Sequence, residues 1–120
     1  TTGSNGVAFA PGGSAIAVGH QNSPFITAYP WSASGFGTKF SNPGTLPAGT
    51  GRGTAFSPDG AYVAVGGREA AIRLYSTTTW KQKAMLSGHF AEVTALAWST
   101  DGKFLASGAG SELRIWAPLE

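Results

Sequence analysis

At 120 residues the chain is the size of one small domain, and its 18 Gly and 7 Pro make up about 21% of it against an average near ~12%, so long helices are not expected. A hydrophobic fraction of 42% supports a packed core and excludes disorder as the main state, while a charged fraction of 12% leaves an unusually neutral surface. The net charge of +2 gives no support for nucleic-acid binding, the absence of Cys excludes disulfides, thiol catalysis and Cys-ligated zinc, and no apolar run approaches the ~18 residues that span a bilayer.

The first apolar run, Val7-Ala8-Phe9-Ala10, ends in the turn Pro11-Gly12-Gly13, and Ala15-Ile16-Ala17-Val18-Gly19 follows it. A third run, Ile26-Thr27-Ala28-Tyr29, leads through Pro30-Trp31 to the more polar Phe36-Gly37-Thr38-Lys39-Phe40, which suits an outer edge strand where Lys discourages wrong pairing. Residues 41–51, rich in Pro and Gly, read as loop. The same order then returns: Thr54-Ala55-Phe56-Ser57, the turn Pro58-Asp59-Gly60, Tyr62-Val63-Ala64-Val65-Gly66, Ile72-Arg73-Leu74-Tyr75 and the polar Lys81-Gln82-Lys83-Ala84-Met85-Leu86. It returns once more as Leu96-Ala97-Trp98-Ser99, Thr100-Asp101-Gly102, Phe104-Leu105-Ala106-Ser107-Gly108 and Leu113-Arg114-Ile115-Trp116.

The aromatic residues that close the first run of each unit, Phe9, Phe56 and Trp98, are 47 and 42 residues apart; those that close the third run, Tyr29, Tyr75 and Trp116, are 46 and 41 apart. Two landmarks that agree to within one residue make this an internal repeat. Its runs are short, rich in β-branched and aromatic residues and bounded by turn formers, which are strand signals. Pro58-Asp59-Gly60 is a turn with a mechanism: Pro presets φ, Asp bonds its own backbone and Gly accepts φ > 0, so the first two strands of the unit form a hairpin. The third unit stops three or four residues after Trp116, leaving it without an evident outer strand.

Repeats of this length with four short strands resemble the blades of a WD-repeat β-propeller. The third unit carries the resemblance best, with Gly88-His89 upstream, the Ala95 to Gly108 stretch and Leu113-Arg114-Ile115-Trp116, and the second supplies Phe56-Ser57-Pro58-Asp59-Gly60. The resemblance implies an all-β fold of three four-stranded antiparallel blades, the last one three-stranded for want of an outer strand, over residues 3–46, 47–88 and 89–120 of a single propeller segment. It also implies a buried hydrogen-bond network of which His89, Ser107 and Trp116 are three members. The family's aspartate in that network has no counterpart, nor has the Asp that follows its Trp, since Ala117 stands there. Looser blades held mainly by apolar packing are the expectation.

A blade packs on both faces, and propellers close at four to eight blades, so three units leave two faces bare. At roughly 300 Å² of projected face per sheet and ~25 cal/mol per Å², on the order of 15 kcal/mol of burial is unrealised. Two copies joined head to tail give six blades, which makes a homodimeric ring the expected assembly.

No chemistry competes with that reading. His20 and His89 have no second ligand at zinc spacing, and His20 is expected in an exposed loop after the second run. Asp59 and Asp101 are explained by their own turns, the other acids form no cluster, and no Gly-x-Ser-x-Gly elbow or phosphate loop is present. No catalytic, metal or cofactor site is therefore expected. Arg52, Arg68, Arg73 and Arg114 are expected in solvent or in surface pairs. The alternative to a self-assembling scaffold is a module that binds a protein, peptide or glycan, with Trp31 and Trp80 as rim contacts, taken from a larger WD-repeat protein. The start at Thr1-Thr2-Gly3-Ser4, which lacks the regions of a signal peptide, and the terminal Leu119-Glu120 suggest a processed, engineered or fragmentary chain. Compartment is left open.

Overall fold

The short apolar runs and their turns fold as three antiparallel sheets in a computed structural model that describes residues 4–22, 24–40 and 49–118. The first sheet contains β1 (Ser4–Phe9), β2 (Ala15–His20), β3 (Ile26–Ser32) and β4 (Gly35–Phe36) in that order. The middle sheet repeats the meander with β5 (Gly51–Phe56), β6 (Tyr62–Gly67), β7 (Ala71–Ser76) and β8 (Gln82–Ser87). The third has three strands, β9 (Ala95–Trp98), β10 (Leu105–Ala109) and β11 (Glu112–Trp116). Of the loop expected over 41–51, residues 41–48 lie outside the described residues and Gly51 is already the first residue of β5, paired with Gly67; the boundary between the first two units at 46 and 47 and the two chain ends also lie outside the described residues.

The hairpin turns work as their residues dictate. Ser57 Oγ donates to Asp59 Oδ1 at 2.7 Å while the same carboxylate accepts from Ala61 N at 3.0 Å; Ser99 and Asp101 repeat both bonds, the second with Lys103 N. The first unit lacks the Asp and turns through a 3-10 segment, Pro11–Gly13, in which Gly12 and Gly13 both have positive φ. The polar strand expected over 36–40 is shorter than anticipated. Only Gly35 and Phe36 pair regularly with β3, because Pro30 has no N–H to continue the ladder; beyond them Gly37 N and Phe40 N donate singly to Pro30 O and Ala28 O.

The sheets stack through their innermost strands, β1 on β5 and β5 on β9. Each sheet has a forward face rich in small residues and a rear face rich in bulky ones. The forward face of the first sheet, with Ala17, Ile26 and Ala28, packs on the rear face of the middle sheet, with Phe56, Val63, Val65 and Tyr75. Ala64, Ile72 and Leu74 on the forward face of the middle sheet pack in turn on Leu96, Trp98, Leu105 and Trp116. Small residues let the backbones approach: a Cβ on Gly6 would overlap the carbonyl oxygen of Arg52, and one on Gly66 would lie 2.5 Å from Val93 Cγ1. Trp98 Nε1 donates across the second joint to Ala55 O at 3.2 Å, and Glu92 bridges it, pairing with Arg52 at 2.8 Å and Arg68 at 3.2 Å.

Candidate functional site

The third sheet carries a polar network on its rear face. Gly88, at φ 142°, turns the chain out of β8 and points His89 at β10 and β11. His89 Nε2 lies 2.6 Å from Ser107 Oγ, and Trp116 Nε1 donates to the same hydroxyl at 2.8 Å. At the other ring nitrogen stands Glu112, whose Oε1 is 2.5 Å from His89 Nδ1. The set is satisfied when the imidazole carries its proton on Nδ1: the indole N–H donates to the hydroxyl, the hydroxyl to Nε2, and Nδ1–H to the carboxylate. Glu112 also accepts from Arg114 Nη2 at 3.0 Å, and this bond, followed by the one from His89, holds its carboxyl below the ordinary Glu range.

Glu112 was not legible as a member from spacing alone. It begins the strand that Trp116 ends, where antiparallel pairing sets it opposite Ala109. The signal available in the sequence was an acid two residues before Arg114 in a chain with few acids.

Serine, histidine and carboxylate in hydrogen-bond sequence have the connectivity of a hydrolytic triad, and two features set this group apart from one. Ser107 is buried, and the Trp116 indole donates to its oxygen, so the hydroxyl is enclosed between the indole and the imidazole rather than presented to a cleft. The group instead ties the start of the third unit to the two strands that end it. Among the described residues no three His, Cys, Asp or Glu converge as a metal site, and no helix is long and apolar enough to cross a membrane.

The remaining candidates separate. His20 is not in an exposed loop: β2 runs one residue further than its apolar pattern, pairs His20 with Ser4 and buries the ring, and that burial holds its pKa below the ordinary His value. Trp80 is buried, tilted against Phe40 at 5.7 Å between ring centres, and with Phe56, Pro11 and Asp59 it lines a groove of about 300 Å³ between the first two sheets. Trp31 lies elsewhere, edge-on to Phe9 at 5.9 Å and Phe36 at 5.1 Å on the rear face of the first sheet. All four arginines have carboxylate partners: Arg52 and Arg68 share Glu92, Arg73 takes Glu69 and Arg114 takes Glu112.

The two outward faces of the stack are the other candidate site. Ile26, Ile72 and Leu113 are equivalent in the repeat, as are Ala28, Leu74 and Ile115. In the first two sheets these positions are 0–4% exposed, whereas Leu113 is 73% and Ile115 62% exposed. Leu113 borders a shallow groove of about 250 Å³ floored by Ala95, Ala97, Ala106 and Gly108. At the opposite end Val7, Phe9 and Phe36 stand out from the rear face of the first sheet, where Phe56 and Trp98 occupy the position of Phe9 inside the two joints. One end is thus a trough of small residues and the other a ridge of bulky ones, the same pair that meets twice within the chain.

Stacked antiparallel meanders of three or four strands with the Gly88-His89, Ser107 and Trp116 group define a repeat of the propeller type, and the chain belongs to the WD-repeat family. The model of that family, WD domain, G-beta repeat, matches residues 52–76 and 80–117. Among curated relatives, the chain is 43% identical over 57 residues to the 66 kDa stress protein of Physarum polycephalum, a match covering 45% of this chain and 10% of that protein. It is 50% identical over 48 residues to Elongator complex protein 2 of Rattus norvegicus, covering 40% of this chain and 6% of that protein. The chain thus spans a tenth or less of the length of these relatives. The family is in general one of non-catalytic interaction scaffolds.

Proposed function

We propose that the chain is a non-catalytic scaffold for protein interaction that assembles with itself, the trough of one copy receiving the ridge of another so that two copies of three blades close a six-bladed ring. The observation that carries this is the exposure of Leu113 and Ile115 at positions whose equivalents are fully buried by the next sheet. Apolar faces of this kind call for a partner, and the ridge equivalent to the one that covers Ile72 and Leu74 is found at the other end of the same chain. Two such joints per pair satisfy both ends of both copies, and a heterologous contact that closes leaves no open end for fibre growth. Light scattering should give a particle of about 24 kDa, twice the 12.2 kDa chain; a clean 12.2 kDa species at working concentration overturns the assembly.

A second reading, in which the ridge binds a protein, peptide or glycan, draws on the aromatic group of Phe9, Trp31 and Phe36 at one exposed edge. Trp31→Ala separates the two. Loss of a ligand from an array with unchanged particle mass favours the binding module, and a fall in mass without ligand favours self-assembly.

A further inference from the structure

The three hairpin turns lie side by side on one side of the stack: a Cβ on Gly60 would stand 3.7 Å from Pro11 Cδ, and one on Gly102 3.7 Å from Pro58 Cδ. Between the first two turns opens the groove of about 300 Å³, walled by Phe40, Phe56 and Trp80 with Ser14 and Asp59 among its polar lining, a volume at the small end of the ~300–1,000 Å³ of ligand sites. Trp80 reaches it from the turn between β7 and β8, where its N–H donates to Ser76 O at 2.8 Å and its φ is 55°, a conformation that favours glycine. A tryptophan held there is strained, and what the strain secures is an indole in the groove wall. On the far side of Asp59 a second groove, of about 470 Å³, lies between the second and third turns and is lined also by Asp101. The charge here is one-sided. Among the described residues Glu69, Glu92 and Glu112 each hold an arginine, whereas Asp59 and Asp101 have no ion pair. No basic side chain lines either groove, in a chain of net charge +2. Both bonds of the turn fall on Asp59 Oδ1, from Ser57 Oγ at 2.7 Å and Ala61 N at 3.0 Å, and leave Oδ2 to an outside donor.

We infer that the groove between the first two hairpin turns binds an arginine side chain of a partner protein, presented on an extended basic segment. A guanidinium is flat and weakly hydrated, so it leaves water for an aromatic wall more readily than an ammonium does, and its fork of N–H groups matches a carboxylate. Phe40, Phe56 and Trp80 supply the wall and Asp59 the anion. Oδ1 keeps the turn closed while Oδ2 accepts from the ligand. Other segments fit less well: an acidic one meets two carboxylates without a cation, and an apolar one covers Asp59 without offering it a donor. A segment that continues past Asp59 enters the second groove, where Asp101 takes a second cation. The site is built in a joint within one chain rather than on either outward face, so it is present whether or not copies join.

The probe is the end-blocked peptide Gly-Arg-Gly-Arg-Gly, titrated into the intact isotope-labelled chain and followed by its indole and amide resonances. Saturable shifts are expected at the Trp80 indole N–H and at the amides of residues 59–61 and 77–80. Binding should weaken about tenfold in Asp59→Asn, whose amide oxygen keeps the turn acceptor, and about two- to fivefold in Asp101→Asn. It should be lost when both arginines are replaced by citrulline, which has the shape without the charge, and the lysine counterpart should bind about threefold more weakly. The inference is overturned by a folded spectrum with no saturable shift at these positions, by equal binding of the citrulline or lysine peptide, or by unchanged affinity in folded Asp59→Asn. Shifts confined to the surroundings of Glu69, Glu92 and Glu112 mean exchange at existing ion pairs and overturn it as well. Light scattering on the same samples reports the copy number separately, so a failed ring and a failed arginine site give different results.

Discussion

The middle and third sheets are built from the same pattern, yet equivalent residues in them meet different surroundings. Ile72 and Leu74 are sealed between two sheets, while Leu113 and Ile115, in the same register on β11, face outward. The lesson is that burial here belongs to the neighbour and not to the residue: a strand apolar on both faces is stable only where something lies on each of them.

Substitutions at paired positions break this comparison or sharpen it. Leu74→Ala should cost about 2–5 kcal/mol of global stability at any protein concentration. Ile115→Ala should cost the dilute single chain less than ~1 kcal/mol and appear instead as weaker association at high concentration; urea unfolding at two concentrations reads both. Next in size is a glycine pair. Gly66→Ala drives a methyl into Val93 and should cost about 1–3 kcal/mol. Gly108→Ala, whose new Cβ meets nothing nearer than Ala95 Cβ at 3.7 Å, should stay within ~0.5 kcal/mol in the single chain.

Ser107→Ala tests what the third sheet has and the middle one lacks. It leaves Trp116 Nε1 and His89 Nε2 without their shared partner and should cost about 1–3 kcal/mol, with a change in tryptophan emission. Val65, at the equivalent place in the middle sheet, has no polar group to lose.

The smallest effect is one in which the two sheets should behave alike. Bonds from Ser57 and Ser99, reinforced by the backbone N–H of Ala61 and Lys103, hold the carboxyls of Asp59 and Asp101 below the ordinary Asp range. A depressed folded value means that the stabilisation is present above the unfolded pKa and fades as pH falls through the folded one. Acid unfolding of Ser57→Ala and Ser99→Ala should therefore show the same small flattening below the ordinary carboxylate range, measured by circular dichroism against pH. A difference between them would show that the two turns are not equivalent.

The apolar runs, their spacing and the Pro58-Asp59-Gly60 turn were enough to locate the three inner strands of each unit and the three-stranded last sheet, because short apolar runs and turn chemistry are local. What escaped was set by neighbours. His20 looked like the start of a loop, since nothing in its own segment reveals that β1 extends back to pair with it. The turns into β3 and β7 place Phe25 and Ala70 at φ 69° and 60°, a conformation that favours glycine and that Gly110 adopts in the turn into β11. Val93 fills the space above Gly66, and Glu92 joins two arginines across a joint, contacts between segments far apart in the chain. Glu112 reads as an isolated acid until antiparallel pairing brings it to His89.

The central claim is that the two ends of the stack fit each other and not themselves. Complementation tests it most directly: Phe9→Asp blocks the ridge, Leu113→Asp with Ile115→Asp blocks the trough, and the mass of each variant is measured alone and mixed. The account predicts 12.2 kDa for either variant alone and a particle of about 24 kDa on mixing, formed through the one intact joint. A 24 kDa particle from either variant alone, or two folded variants that stay at 12.2 kDa when mixed, would contradict it.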